Sequence, residues 1–169
     1  MTRRGLPLVS VIGSSQCTSE IAQLAMRTGE LLAKSGFGIV CGGGSGVMEA
    51  VCRGAAKVEG VTIGILPGDN PGSANPSVQI PIPTGLGEAR NAIVVRAGAA
   101  VLAIGGGYGT LSEIALALKW GKPVIGIRTW QAHDGEGKPA EIEVYSDPEG
   151  AVARITALTD KRSLRSKNH

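Results

Sequence analysis

Short apolar runs rich in β-branched residues recur along the chain, at Leu8–Ile12, Gly38–Cys41, Val61–Leu66, Val78–Ile82, Ala100–Ile104 and Val124–Ile127. They lack the polar alternation of a half-exposed strand, which is how strands covered on both faces read. Between most of them lie helical patterns at Glu20–Lys34, Val47–Lys57, Gly87–Ala97 and Thr110–Trp120. In the first, Ile21, Leu24, Ala25, Thr28, Leu31 and Leu32 recur at spacings of three and four and form one apolar stripe. Alternating strands and helices predict an α/β protein: a doubly wound, mainly parallel sheet with helices on both faces, joined by right-handed crossovers.

Helix stops agree with this pattern. Gly36 and Gly60 follow the first and second helical stretches, and Gly121 and Pro123 follow the fourth. Pro67–Ser77, rich in Pro, Gly, Asn and Ser, predicts an irregular loop near the strand ends. Thr129–Ala140 is polar and predicts a second irregular segment containing a hairpin. After the short strand-like stretch "EIEVY", Asp147 and Pro148 suit the N-cap and first position of a final helix. With no repeat and no boundary, residues 1–160 read as one ligand-binding domain and 161–169 as a disordered basic tail.

Composition narrows the partners. The chain of 169 residues is 43% hydrophobic but only 3% aromatic, so its core is aliphatic and it lacks stacking platforms for single strands. The net charge is +3, with several basic residues near the two ends, which argues against a nucleic-acid surface. Cys17, Cys41 and Cys52 are odd in number and contain no C-x-x-C pair, so no disulfide framework and no metal site is expected. With no signal-like segment and no run of the ~18 apolar residues a membrane span needs, the expectation is a soluble, cytoplasmic protein without a membrane partner.

In an open parallel sheet, ligands bind beyond the carboxyl ends of the strands. Three turns of this chain belong there. The first offers Gly13, Ser14 and Ser15; the second is "CGGGSGVME", with Gly42, Gly43, Gly44 and Ser45; the third is "GGGYGTLSE", with Gly106, Gly107, Tyr108, Gly109 and Thr110. The last two read as twin cradles, each with three glycines, one variable residue, another glycine and a glutamate on the emerging helix. Neither carries the lysine and hydroxyl of a P-loop, and the first turn lacks the dinucleotide fingerprint. A phosphate or phosphoribosyl group suits such backbone donors at helix starts. The bland alternative is that the glycines only permit tight strand-to-helix packing.

"GGGSGVMEA", "GILP", "TGLGEARN" and "GGGYGTLSEIALALKWGKPVIGI" occur in this order, and over Val9–Ile127 the chain resembles the LONELY GUY (LOG) superfamily, once labelled lysine decarboxylase-like. The resemblance implies a Rossmann-like fold, a homodimer or tetramer and, in the enzymes, hydrolysis of the N-glycosidic bond of cytokinin riboside 5′-monophosphates. It makes Arg90 and Glu113 the catalytic pair. This chain departs from the enzymes at Gly105, where their motif has proline, and at Asn91, where they have lysine. The "ARN" and "GGGYGTLSEIALALK" wording is more similar to the branch that includes molybdenum cofactor carrier proteins, which implies bound molybdenum cofactor as a ligand and no required cofactor for turnover.

Two functions follow. As a carrier, the protein binds a phosphorylated nucleotide or pterin on its glycine turns with Arg90 and Asn91. As a phosphoribohydrolase, it uses Glu113 to activate water and stabilise ribosyl charge. The bland readings are that Glu49 and Glu113, read as first-turn acids, merely suit a helix dipole, that Arg96 is an ordinary charge and His133 a solvated one, and that the cysteines are small buried hydrophobes. Cys17 and Cys41, both near the ligand edge, could approach each other. Arg90 is a cation near a helix start, a poor place for it unless an anion is near. Tyr108 covers a ligand or packs at a subunit interface.

Overall fold

A computed structural model describes residues 5–165, with side chains to residue 160. Seven strands form one sheet: β1 (Leu8–Gly13), β2 (Gly38–Cys41), β3 (Thr62–Leu66), β4 (Ile80–Pro83), β5 (Val101–Ile104), β6 (Val124–Ile127) and β7 (Ile142–Tyr145). Every pairing is parallel and the spatial order is β4-β3-β2-β1-β5-β6-β7. The fold is the expected Rossmann-like α/β type.

Five α-helices cover the sheet: α1 (Ser19–Lys34), α2 (Val47–Ala56), α3 (Asn91–Ala97), α4 (Tyr108–Lys119) and α5 (Pro148–Arg165). The alternation of strand side chains sorts them onto two faces. Val9, Val11, Ile39, Cys41, Leu102, Ile104, Ile125 and Ile127 meet α1, α2 and α5. Ile12, Val40, Val101, Ala103 and Val124 face α3 and α4. Both faces of the central strands are therefore covered by aliphatic packing, which is why those runs show no polar alternation. β4, with Pro81 and Pro83, is an edge strand and largely exposed, as prolines that cannot donate to a ladder require.

α1 and α2 pack closely because each presents a glycine to the other. A Cβ on Gly29 would land on the Val51 carbonyl, and one on Gly54 on the Met26 carbonyl. The buried Ser10 of β1 ties down α3: its hydroxyl donates to the Val94 carbonyl at 2.6 Å and accepts from the Gly98 N–H at 2.9 Å.

The structure differs from the sequence reading in its details. The helix expected over Gly87–Ala97 opens as a 3-10 turn at Gly87–Arg90 and continues as α3, its entry set by Gly85 and Gly87 with left-handed φ of 64° and 57°. α4 begins at Tyr108 rather than Thr110, so Glu113 lies in its second turn and not its first. The polar 129–140 segment closes through an antiparallel bridge between His133 and Pro139, with Asp134 Oδ1 accepting from the Glu136 and Lys138 N–H groups. The partner of Cys41 is Cys52, not Cys17: their Sγ atoms lie 3.6 Å apart, both side chains fully buried. The α5 backbone is described to Arg165; the side chains from 161 onward, and with them the expected basic tail, lie outside the described residues.

Candidate functional site

The strand order reverses direction at β1 and β5. The chain steps outward from β1 through β2, β3 and β4, then returns to lay β5 against the other side of β1, with Gly13 beside Ile104. The turns leaving these two strands diverge and leave a crevice, the usual ligand position in doubly wound sheets. A cleft of about 440 Å³ occupies it, within the size range of small-molecule sites.

Ten of the expected site residues line this cleft. Gly13, Ser14 and Ser15 come from the turn after β1; Gly107, Gly109, Thr110 and Glu113 from the start of α4; Arg90 and Asn91 from the entry to α3; and Gly42 from the end of β2. Gly43, Gly44, Ser45, Gly106 and Tyr108 do not line it. Val11, Ile12, Met48, Pro67 and Glu88 do, although the sequence reading had not singled them out. Met48, Pro67 and Glu88 fall inside the quoted motifs but at positions those motifs do not single out, and Val11 and Ile12 read only as strand; the strand order and the course of the 67–90 segment bring all five there.

The turn after β5 is built for close backbone approach. Gly105 and Gly106 have φ of 55° and 118°, and a Cβ on Gly106 would collide with the Thr110 side chain. α4 then starts after Gly107, its N-cap, with no side chain capping its first N–H groups. Those donors and the helix dipole give the cleft a positive rim. The turn is braced from β6: the Thr129 hydroxyl donates to the Gly105 carbonyl at 2.6 Å and the Trp130 indole N–H to the Gly107 carbonyl at 3.1 Å. Tyr108, 83% exposed, lies against the Trp130 ring with centroids 5.8 Å apart.

The turn after β2 is held differently. The Gly43 N–H donates to Cys41 Sγ at 3.4 Å, while Asn75 donates its backbone N–H to the Gly43 carbonyl and its side-chain amide to the Gly44 carbonyl, both at 2.8 Å. The Ser45 hydroxyl donates to the Ser15 carbonyl at 2.9 Å, and the first N–H of α2, on Val47, is taken by the Ser14 carbonyl at 3.0 Å. Its polar groups are largely spent on the protein itself.

Two charged side chains define the floor. The Arg90 guanidinium lies against Gly42, where any Cβ would strike its terminal nitrogens, and its Nε is buried without a hydrogen-bond partner. Such a buried donor has lost water and gained nothing in return. Glu113 is 7% exposed. Burial raises its pKa to about 7, and the nearby Arg90 charge only partly offsets this; the two make no ion pair. Arg96, by contrast, is occupied over the Trp120 ring at 4.3 Å. Glu49 is half-buried on α2, away from the cleft. The hydrogen bond with Cys41 and burial push the Cys52 thiol up, while the same contact and the Gly43 N–H draw the Cys41 thiol down.

The molybdenum cofactor binding protein of the phototrophic bacterium Rippkaea orientalis is 38% identical to this chain and matches 94% of it and 99% of its own length with a TM-score of 0.84. The molybdenum cofactor carrier protein of Chlamydomonas reinhardtii is 32% identical, with a TM-score of 0.77 over 91% of this chain and 98% of its own. An uncharacterized protein of Archaeoglobus fulgidus is 40% identical over 144 residues, which is 85% of this chain and 91% of that protein. The family model of the SLOG cluster4 family matches residues 6–155. The match takes in all seven strands and the whole crevice between β1 and β5, and the chain therefore belongs to the SLOG cluster4 family.

Proposed function

We propose that this protein binds a phosphorylated anionic ligand in the cleft at the β1/β5 crevice, and that it is a carrier of molybdenum cofactor. The observation that carries this reading is the buried, unpartnered Nε of Arg90, set in the same cleft as the uncapped start of α4. A cation desolvated without a partner is costly unless an anion completes it. Similarity to a molybdenum cofactor binding protein and to a molybdenum cofactor carrier protein over nearly the whole chain supports the choice of ligand.

The donor set fits such a ligand. A pterin with a terminal phosphate and a charged metal–dithiolene head is a polyanion, and the residues that would hold it are the Gly107–Thr110 turn with its N–H groups, the Thr110 hydroxyl, the Gly13–Ser15 turn and Arg90. When bound, the cofactor supplies the redox-active metal centre for a later acceptor enzyme. The residues of this chain bind and shield it. Asn91 adds an amide beside Arg90 in the position where LOG enzymes carry a lysine.

The phosphoribohydrolase reading has less support. Arg90 and Glu113 share the cleft, but Asn91 and Gly105 depart from the enzymatic motif. Assembly as a homodimer or tetramer belongs to the same proposal, as does a reducing, cytoplasmic setting for the three free cysteines. Among the described residues, no helix is long and apolar enough to cross a membrane.

Equilibrium binding of molybdenum cofactor to the purified protein tests this directly. Saturable binding that weakens with salt and weakens in Arg90→Ala is expected, together with no release of free base from nucleoside 5′-monophosphates. Base release abolished by Glu113→Gln, without cofactor binding, would overturn the carrier reading in favour of the hydrolase.

A further inference from the structure

The anion cleft contains a buried acid, which needs its own account. Glu113 lines the cleft beside Thr110 and Arg90, is almost wholly buried, and accepts no hydrogen bond from any described residue. Phosphate and sulfate oxygens accept hydrogen bonds, and an ionised carboxylate can only accept too. Ionised Glu113 and a bound anion would oppose each other in a poorly solvated site. A protonated carboxyl has one O–H to give.

We infer that Glu113 is a specificity-determining residue that binds the anion in its protonated form, donating its O–H to a ligand oxygen, so that binding to protein whose Glu113 is ionised takes one proton from solvent onto that carboxylate. This rests on the reading of the cleft as an anion site. The opposite arrangement, ionised Glu113 accepting from an amino edge of the ligand, would take up no proton.

The surroundings leave Glu113 as the group that titrates. β1, β5 and β6, which pack against α4, carry no charged residue within their spans. From the entry to α3 come Arg90 and Glu88, and Glu88 is exposed. Arg96 of α3 is engaged with Trp120, and Arg128, just past β6, pairs with Glu20 at 2.6 Å. The Cys41 thiol, at the end of β2, feels both Arg90 and Glu113 but is buried against Cys52. On α4 itself, Tyr108 is exposed against Trp130 and Lys119 ends the helix. Burial already raises the pKa of Glu113 to about 7, so taking up the proton is easy near neutrality.

Sulfate is a suitable probe because its charge is constant between pH 6 and 8.5. Calorimetric titration of the full-length protein in two buffers of different ionisation enthalpy should give an uptake approaching one proton per site at pH 8 and falling toward zero at pH 6. Sulfate affinity should drop roughly tenfold per pH unit above the Glu113 pKa. Glu113→Gln, whose amide N–H replaces the acid O–H, should bind independently of pH and about tenfold more tightly than wild type at pH 8. Glu88→Gln should keep the wild-type uptake. Absence of uptake by wild type, or an unchanged pH profile in Glu113→Gln, overturns this inference while leaving the anion site standing; uptake lost in Glu88→Gln instead assigns the proton to the other acid and also overturns it. Sulfate that fails to bind at any pH overturns the anion site and the inference together.

Discussion

The two glycine turns look like copies of one another and do different work. The turn after β5 stands at the crevice where the strand order reverses, and its helix start is left uncapped beside Arg90 and Glu113. The turn after β2 stands one strand further out. Asn75, Ser14 and Ser15 occupy its carbonyls, hydroxyl and first helical N–H, and of its glycines Gly42 alone lines the cleft, as the surface against which the Arg90 guanidinium lies. Gly107 and Gly109 of the β5 turn leave open space at the cleft, where the proposed ligand would lie, whereas Gly43 and Gly46 of the β2 turn make room for Leu66 and for the Ser14 and Ser15 backbone. Equal sequences at a helix start become an anion site only where nothing else has taken the donors.

Substitutions should therefore separate stability from binding. The largest effect is expected for Gly46→Ala in the packing turn. Gly46 has a φ of 64°, and a Cβ would strike the Ser14 carbonyl oxygen and the Ser15 backbone. A loss of about 3 kcal/mol or more is expected from left-handed strain plus the clash, read as a lower urea midpoint. An unchanged midpoint would mean that this turn is not the rigid element described here.

Next in size is a pH effect on stability that belongs to Glu113 and not to Glu49, the glutamate after the other turn. The folded-state pKa of Glu113, about 7, lies above the ordinary value of 4.5. The folded protein therefore holds the proton more tightly than the unfolded chain, and its stability falls as pH rises from 4.5 to above 7. The full penalty is about 3 kcal/mol. Chemical denaturation from pH 4.5 to 8 should show this loss in wild type and Glu49→Gln, and lack it in Glu113→Gln. The same slope in all three proteins would place the titration elsewhere.

Arg90→Ala should weaken anion binding by about 2 kcal/mol, or roughly thirtyfold, the worth of a charge-assisted hydrogen bond. It should change the unfolding free energy by less than about 1 kcal/mol, because the buried Nε gives up no partner. Stability lost without affinity would make Arg90 a structural residue. The smallest effect is expected from Gly109→Ala in the open turn. Nothing lies within 4 Å of a Cβ there, so helix propensity should add about 0.5 kcal/mol of stability. The methyl enters the cleft, so sulfate affinity should fall at the same time. Opposite signs in these two readouts, set against Gly46→Ala, would confirm the division between the turns.

Much of this protein was legible one element at a time. Val9, Val11 and Ile12, or Leu102, Ala103 and Ile104, read as strands buried on both sides because each successive side chain meets a different helix layer. The glycine of "WGKP" marked a real helix stop, Gly121 having a φ of 64°. Boundaries were less visible. The helical pattern places the start of α4 two residues late because its first residues, Tyr108 and Gly109, are weak helix formers, and the earlier start sets Glu113 two residues deeper, in the second turn and away from the dipole position.

The sequence by itself determined the layers, the glycine turns and the residues that carry charge near them, since those depend on local period, φ and donor chemistry. Only the tertiary structure decided which turns meet. β5 inserts beside β1 and not beside β4, and this places Ser14 and Ser15 opposite Gly107 and Thr110. It also sets Cys41 against Cys52, and spends Asn75 on the other glycine turn. Strand order is a long-range choice settled by packing of both sheet faces at once, and no window of the chain encodes it. The unpartnered Arg90 Nε and the raised pKa of Glu113 are consequences of that choice, because burial and missing partners exist only once the chain has closed around them.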